Sequence, residues 1–152
     1  MTIVHDTFTI ERTYDTSVAR LYEAWADPEL KAKWFAGGEG WTELERKSDF
    51  RVGGVDMTHG RHAGNVDSRC VATYHEIVPN ERIVFVYDMH VNGALISVTL
   101  ATAAFVGKGK SAQLVYTEQS VYFDTPFAPA GKGPASRKQG TEQLLDQLAR
   151  AV

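Results

Sequence analysis

Two hydrophobic periods divide this chain. Over residues 5–14, Phe8, Ile10 and Tyr14 alternate with Thr9, Glu11 and Thr13, the period-two pattern of a strand with one buried face. In Ser136–Val152 the spacing changes, because Thr141, Leu144, Leu145, Leu148 and Val152 recur at steps of three and four and so share one face of a long helix. Arg137, Lys138, Glu142, Asp146 and Arg150 are assigned to the remaining surface of that helix. Between these two stretches, Val18, Leu21, Tyr22 and Trp25 predict a short helix, with N-cap side chains available from Asp15, Thr16 and Ser17. Asp27-Pro28 ends that helix and opens a second, PELKAKWF, which Gly37, Gly38 and Gly40 close.

From Trp41 onward the pattern is strand-like. Six runs are predicted: Trp41–Lys47, Phe50–His59, Val66–Val78, Arg82–Val91, Ala94–Phe105 and Ser111–Phe123. Turn residues separate them at Ser48-Asp49, Gly60–Asn65, Pro79–Glu81, Asn92-Gly93 and Gly107–Lys110. Asn92-Gly93 is the clearest, since a type I′ hairpin needs positive φ at both central residues and this pair tolerates it. Short hairpins mean antiparallel neighbours. The order β, α, α, six β, α therefore predicts a single α+β domain over residues 1–152, a curved antiparallel sheet of about seven strands folded around the last helix. Residues 124–135, with three prolines and two glycines, are expected to be a loop that leads into it.

Composition adds exclusions. A chain of 152 residues can bury a core without disulfides or metal. No apolar run approaches the ~20 residues of a membrane span, and the polar N-terminus does not resemble a secretory signal. The single cysteine, Cys70, suits a reducing compartment, so a cytoplasmic location is expected, with Cys70 read as a small apolar strand residue. A net charge of −3 without a basic cluster gives no reason to expect nucleic-acid binding.

A set of short motifs in a fixed order goes further. Trp25-x-Asp27-Pro28, Trp34-Phe35, Arg51-Val-Gly-Gly54, Glu76-Ile-x-Pro79-x-Glu81-Arg82-Ile83 and the closing amphipathic helix together resemble the family of activators of the 90-kDa heat-shock protein ATPase, over about residues 6–150. That family falls in the START-like, birch-pollen-allergen-like (SRPBCC) superfamily, and the resemblance implies a helix-grip fold. The superfamily includes lipid carriers, hormone receptors, cyclases and chaperone regulators, so the implied roles are several. Two departures stand out. Gly140 is followed by Thr141 where the family usually has Gly-Trp, which should leave room beneath the final helix. Val55–His59 replaces the family's aromatic residues, which should make the pocket more polar. The chaperone-docking domain of the eukaryotic members has no counterpart within these 152 residues.

Candidate site residues follow from geometry. A bent sheet folded over one helix leaves a concave space that side-chain size either fills or leaves open. Ala94, Ala101, Ala103, Ala104, Gly140 and Thr141 favour a void. If Ile83 faces inward, alternation brings Phe85, Tyr87 and Met89 with it, and Leu114 likewise brings Tyr116 and Glu118. The predicted lining is thus Tyr74, Phe85, Tyr87, Met89, Tyr116, Glu118, Gly140, Thr141 and Leu144. Glu118 is the sharpest signal, because an inward carboxylate must be hydrogen-bonded, paired or protonated. Register shifted by one, or an arginine partner, would account for it without chemistry. Residues Thr125–Ala135 and Gly37–Gly40 are placed at the cavity entrance.

His59, His62 and Asp67 are a weak metal set that crosses a loop, and no motif requires a metal or cofactor. Three functions fit: a module binding a small apolar or amphipathic molecule, an enzyme using Glu118 with Tyr74, Tyr87 or Tyr116 as acid/base groups, and a partner of a chaperone. Trp41 and the tyrosines are also candidates for an exposed apolar patch in a homodimer, the monomer being the alternative.

Overall fold

The computed structural model describes residues 2–152. Strand β1 (Ile3–Tyr14) is followed by α1 (Val18–Ala26) and α2 (Pro28–Ala32), then β2 (Thr42–Lys47), β3 (Val55–His62), β4 (Val66–Val78), β5 (Arg82–Val91), β6 (Ala94–Lys108) and β7 (Ser111–Phe123). A 3₁₀ turn at Ala130–Lys132 leads into α3 (Gly133–Ala151). The strands form one antiparallel sheet of order β1-β7-β6-β5-β4-β3-β2. The α+β helix-grip expectation is met: the sheet curves, the two short helices follow β1, and the long helix closes the chain.

Local chemistry sets the boundaries. Ser17 caps α1, its Oγ accepting from the Arg20 N–H at 3.2 Å. Asp27 caps α2, accepting from the Glu29 and Leu30 N–H groups at 2.8 and 3.2 Å. Asn92 and Gly93 carry φ of 48° and 81°, as a type I′ hairpin requires. Three boundaries differ from expectation. The third strand begins at Val55, not Phe50, because residues 51–54 form a turn with Gly53 at φ 82°; a Cβ on Gly54 would stand 2.1 Å from the Asp49 carbonyl. That strand runs on through Gly60 to His62, so its hairpin loop shrinks to residues 63–65. The final helix begins at Gly133 because Pro134 fits a first helical turn, where no N–H is needed.

The core lies between the concave face of the sheet and the helices. Leu21, Trp25, Trp34, Phe85, Phe105, Leu114, Tyr116, Leu145 and Leu148 are all buried there. Trp25 sits among the rings of Trp34, Tyr116 and Phe105 at centroid distances of 4.8, 5.8 and 6.1 Å. Helix α3 is tied down at several points. The Tyr14 hydroxyl donates to the Leu145 carbonyl at 3.0 Å, Arg12 pairs with Asp146, and the Gln147 amide donates to the Trp34 and Ala36 carbonyls at 2.7 and 3.1 Å. Among the described residues no helix is long and apolar enough to cross a membrane.

Candidate functional site

A cavity of about 900 Å³ opens between the sheet, α2, the Gly37–Trp41 turn, the segment after β7 and α3. Strand alternation decides which side chains reach it. From β5 come Phe85, Tyr87, Met89 and Val91, from β7 Tyr116, Glu118 and Tyr122, and from α3 Arg137, Gly140, Thr141, Leu144 and Leu145. On β4 the inward set is Ser68, Cys70 and Ala72. Burial pushes the Cys70 thiol up to about 12, so it is a protonated, apolar wall residue.

The polar centre of the cavity is built around Glu118, which is 2% exposed. Its Oε2 accepts from the hydroxyls of Tyr87 at 2.6 Å and Tyr116 at 2.5 Å. Burial, followed by the charge of Glu118, raises both phenols well above the ordinary tyrosine value, so both remain donors. Arg137 reaches in from α3. Its Nη1 donates to the Tyr87 hydroxyl at 3.0 Å and Thr99 Oγ1 at 3.1 Å, while Nη2 donates to Ser97 Oγ at 2.5 Å. Thr99 in turn shares a 2.7 Å hydrogen bond with Ser120. The guanidinium lies over the rings of Tyr87 and Tyr122, 5.3 and 5.5 Å from their centroids. Burial works against its charge, yet Tyr87 and Glu118 outweigh that cost and raise its pKa.

A second cluster occupies the β3–β4 side. Lys31 on α2 donates to Asp56 Oδ2 at 3.2 Å and to the Tyr74 hydroxyl at 3.1 Å, and Tyr74 donates to the same Asp56 oxygen. Asp56 also accepts at Oδ1 from Ser48 Oγ and the Asp49 N–H, at 3.1 and 3.0 Å. Burial would raise this carboxyl, but Lys31 and the donors around it hold it below the usual aspartate range. Burial lowers the Lys31 pKa, partly opposed by Asp56. Every member of this cluster has a protein partner, and its effect is to pin α2 to the sheet.

The residues singled out from sequence divide accordingly. Phe85, Tyr87, Met89, Tyr116, Glu118, Gly140, Thr141 and Leu144 stand on the cavity wall. Tyr74 does not; its ring packs edge-on against Phe50 with centroids 4.9 Å apart, and its hydroxyl is spent on Asp56. Ala101 and Ala103 are fully buried under the aromatic core instead of opening the void, and Ala104, one residue on, points to the other face of β6. Arg137, assigned to the outer surface of the last helix, faces inward. It belongs to the series 137, 141, 145, 148, so the i, i+4 step to Thr141 is the signal that could have located it. Ser97 and Thr99 follow from the alternation that buries Ala101.

His59 and His62 do not converge. They lie three residues apart on β3, hence on opposite faces; His59 Nε2 stands 2.7 Å from Asp67, whereas His62 lines the cavity. Among the described residues no group of three or more His, Cys, Asp or Glu side chains is placed to hold a metal ion. Trp41 and the tyrosines do not form the exposed patch expected of them. All six tyrosines are buried, and the Trp41 indole packs against Gly37 and Gly60 and lines the cavity.

A curved seven-stranded sheet gripping a C-terminal helix over such a cavity defines a START-like domain of the SRPBCC superfamily. Within that class, residues 15–152 match the family described as activator of Hsp90 ATPase homolog 1-like protein, and the chain belongs to it. Similar solved structures include a protein of Rhizobium loti, 37% identical with TM-score 0.87 over 100% of both chains. A putative uncharacterized protein from Rhizobium leguminosarum is 35% identical, with TM-score 0.90 over 99% of this chain and 95% of its own. An AHSA1-like protein from Aeromonas hydrophila shares the fold at 22% identity and TM-score 0.72, over 97% of this chain and 92% of its own. No curated protein matches the sequence.

Proposed function

We propose that this domain is a binding module that encloses one small, largely apolar molecule between its sheet and α3. The observation that carries the reading is the cavity itself. Its volume of about 900 Å³ lies within the roughly 300–1,000 Å³ of small-molecule sites. Aromatic and aliphatic side chains supply most of its wall, with a few convergent polar groups, the arrangement that gives apolar burial for affinity and hydrogen bonds for orientation. Entry is by the Gly37-Gly38 turn and the segment around Phe127, whose side chain is 53% exposed at the rim.

The test is a titration with the fluorescent apolar probe N-phenyl-1-naphthylamine, paired with native mass spectrometry of the purified protein. One-to-one binding is expected, and Thr141→Trp, which places an indole in the cavity, is expected to abolish it. Failure of the probe and of a total lipid extract to bind the wild-type protein would remove the proposal.

A further inference from the structure

Glu118 is unevenly satisfied. Oε2 takes both phenolic hydrogen bonds, but Oε1 is buried with no hydrogen-bond partner at all. Arg137 Nη1 stands 3.7 Å from it, close enough for charge attraction and too far for a hydrogen bond. The guanidinium is already committed elsewhere, to Tyr87, Thr99 and Ser97. A buried carboxylate oxygen left without a donor is costly, and Glu118 stands on the cavity wall.

We propose that the molecule bound in this cavity carries a neutral hydroxyl, an alcohol or a phenol, that donates its hydrogen bond to Glu118 Oε1. The inference rests on the binding function proposed above and specifies its ligand. Charge decides the class. A ligand carboxylate would bring a second negative charge against Glu118 and has no proton to give. An ammonium group would meet the guanidinium of Arg137, which stands within 3.7 Å of the same oxygen. The pair Arg137–Glu118 is already neutral overall, so an uncharged donor adds a hydrogen bond without adding an unpaired charge. A ketone or ether accepts only and leaves Oε1 as it was. The apolar remainder of the ligand lies along Phe85, Met89 and Leu144.

The experiment compares four compounds on one hydrocarbon frame, 4-octylphenol, 4-octylanisole, octylbenzene and 4-octylbenzoate, by displacement of N-phenyl-1-naphthylamine from the wild-type protein. The phenol is expected to bind on the order of tenfold or more tighter than the other three, the value of a hydrogen bond to a charged acceptor. In Glu118→Gln, whose carboxamide carbonyl takes over the bonds from Tyr87 and Tyr116 and turns its NH₂ toward the ligand, the preference for the phenol over the anisole should be lost, because both oxygens can accept from that NH₂. Equal affinity of phenol, anisole and octylbenzene for the wild-type protein would overturn the hydroxyl assignment and leave the binding function standing, as would tightest binding of the benzoate. If none of the four displaces the probe, the hydroxyl assignment falls; if neither the probe nor a total lipid extract binds, both readings fall. The wild-type series decides the matter even if Glu118→Gln does not fold.

Discussion

Arg137 on α3 and Glu118 on β7 face each other across the cavity, with Nη1 and Oε1 3.7 Å apart and side chains only 12% and 2% exposed. This pair couples the helix to the sheet through a polar network inside the cavity. Both side chains are largely shielded from solvent, so each depends on the other and on the tyrosine, serine and threonine hydroxyls around them.

Arg137→Met should therefore destabilise the protein by about 3–5 kcal/mol, the usual cost of leaving one member of a buried pair uncompensated. For a chain of this size that is roughly 10 °C in melting midpoint. The double variant Arg137→Met/Glu118→Gln should recover much of the loss, because the orphaned charge is gone. Urea unfolding of the two single variants and the double reads out the coupling. A cost below about 1 kcal/mol for Arg137→Met would mean that the pair is effectively solvated and that the burial argument is wrong.

Why Glu118 was legible in the sequence and Arg137 was not comes down to the two periodicities. A strand has one inward and one outward side, so fixing Leu114 fixes Tyr116 and Glu118 as well. A helix offers a continuous circle, and arginine near its start is most often solvent-facing; only the cavity below makes an inward guanidinium affordable. Tyr74 was misplaced for a related reason. It alternates correctly with Cys70 and Ala72, but its ring packs against Phe50 and its hydroxyl is taken up by Asp56 and Lys31, residues from two other elements. The start of β3 was hidden because Phe50 and Val52 alternate with Arg51 as in a strand, while Gly53 sits at φ 82°. Tertiary partners and backbone sign are the two things that spacing along one chain does not encode.

Gly60 should tolerate no side chain. A Cβ there would stand 2.0 Å from the Trp41 Nε1, in the middle of a strand whose backbone cannot retreat. Gly60→Ala should cost roughly 1–3 kcal/mol by overpacking. Trp41→Ala empties the space above, so Gly60→Ala introduced into that background should cost little or nothing. The comparison by urea unfolding is direct: equal penalties in the two backgrounds would show that the indole is not what excludes the side chain.

Asp56 gives a pH dependence with a definite sign. Its carboxyl is held below its ordinary value of 3.8 in the folded protein, after Lys31, Tyr74 and the Asp49 N–H overcome the opposing effect of burial. A depressed acid binds its proton less readily when folded than when unfolded. Its stabilisation is therefore fully present above 3.8 and is lost as pH falls through the lower folded value. Lys31 works differently: burial lowers its pKa, so its charge costs the folded state something at neutral pH, and that cost shrinks only as pH rises toward 10.5. Between pH 7 and pH 3 the slope contributed by this cluster is consequently that of Asp56. Asp56→Asn should lose roughly 2–4 kcal/mol at pH 7, since it leaves Lys31 without its counter-charge. The gap to wild type should hold steady down to about pH 4 and narrow below it. Urea unfolding at several pH values measures this gap, and one that stayed constant down to pH 3 would mean that Asp56 owes nothing to its ionised partner.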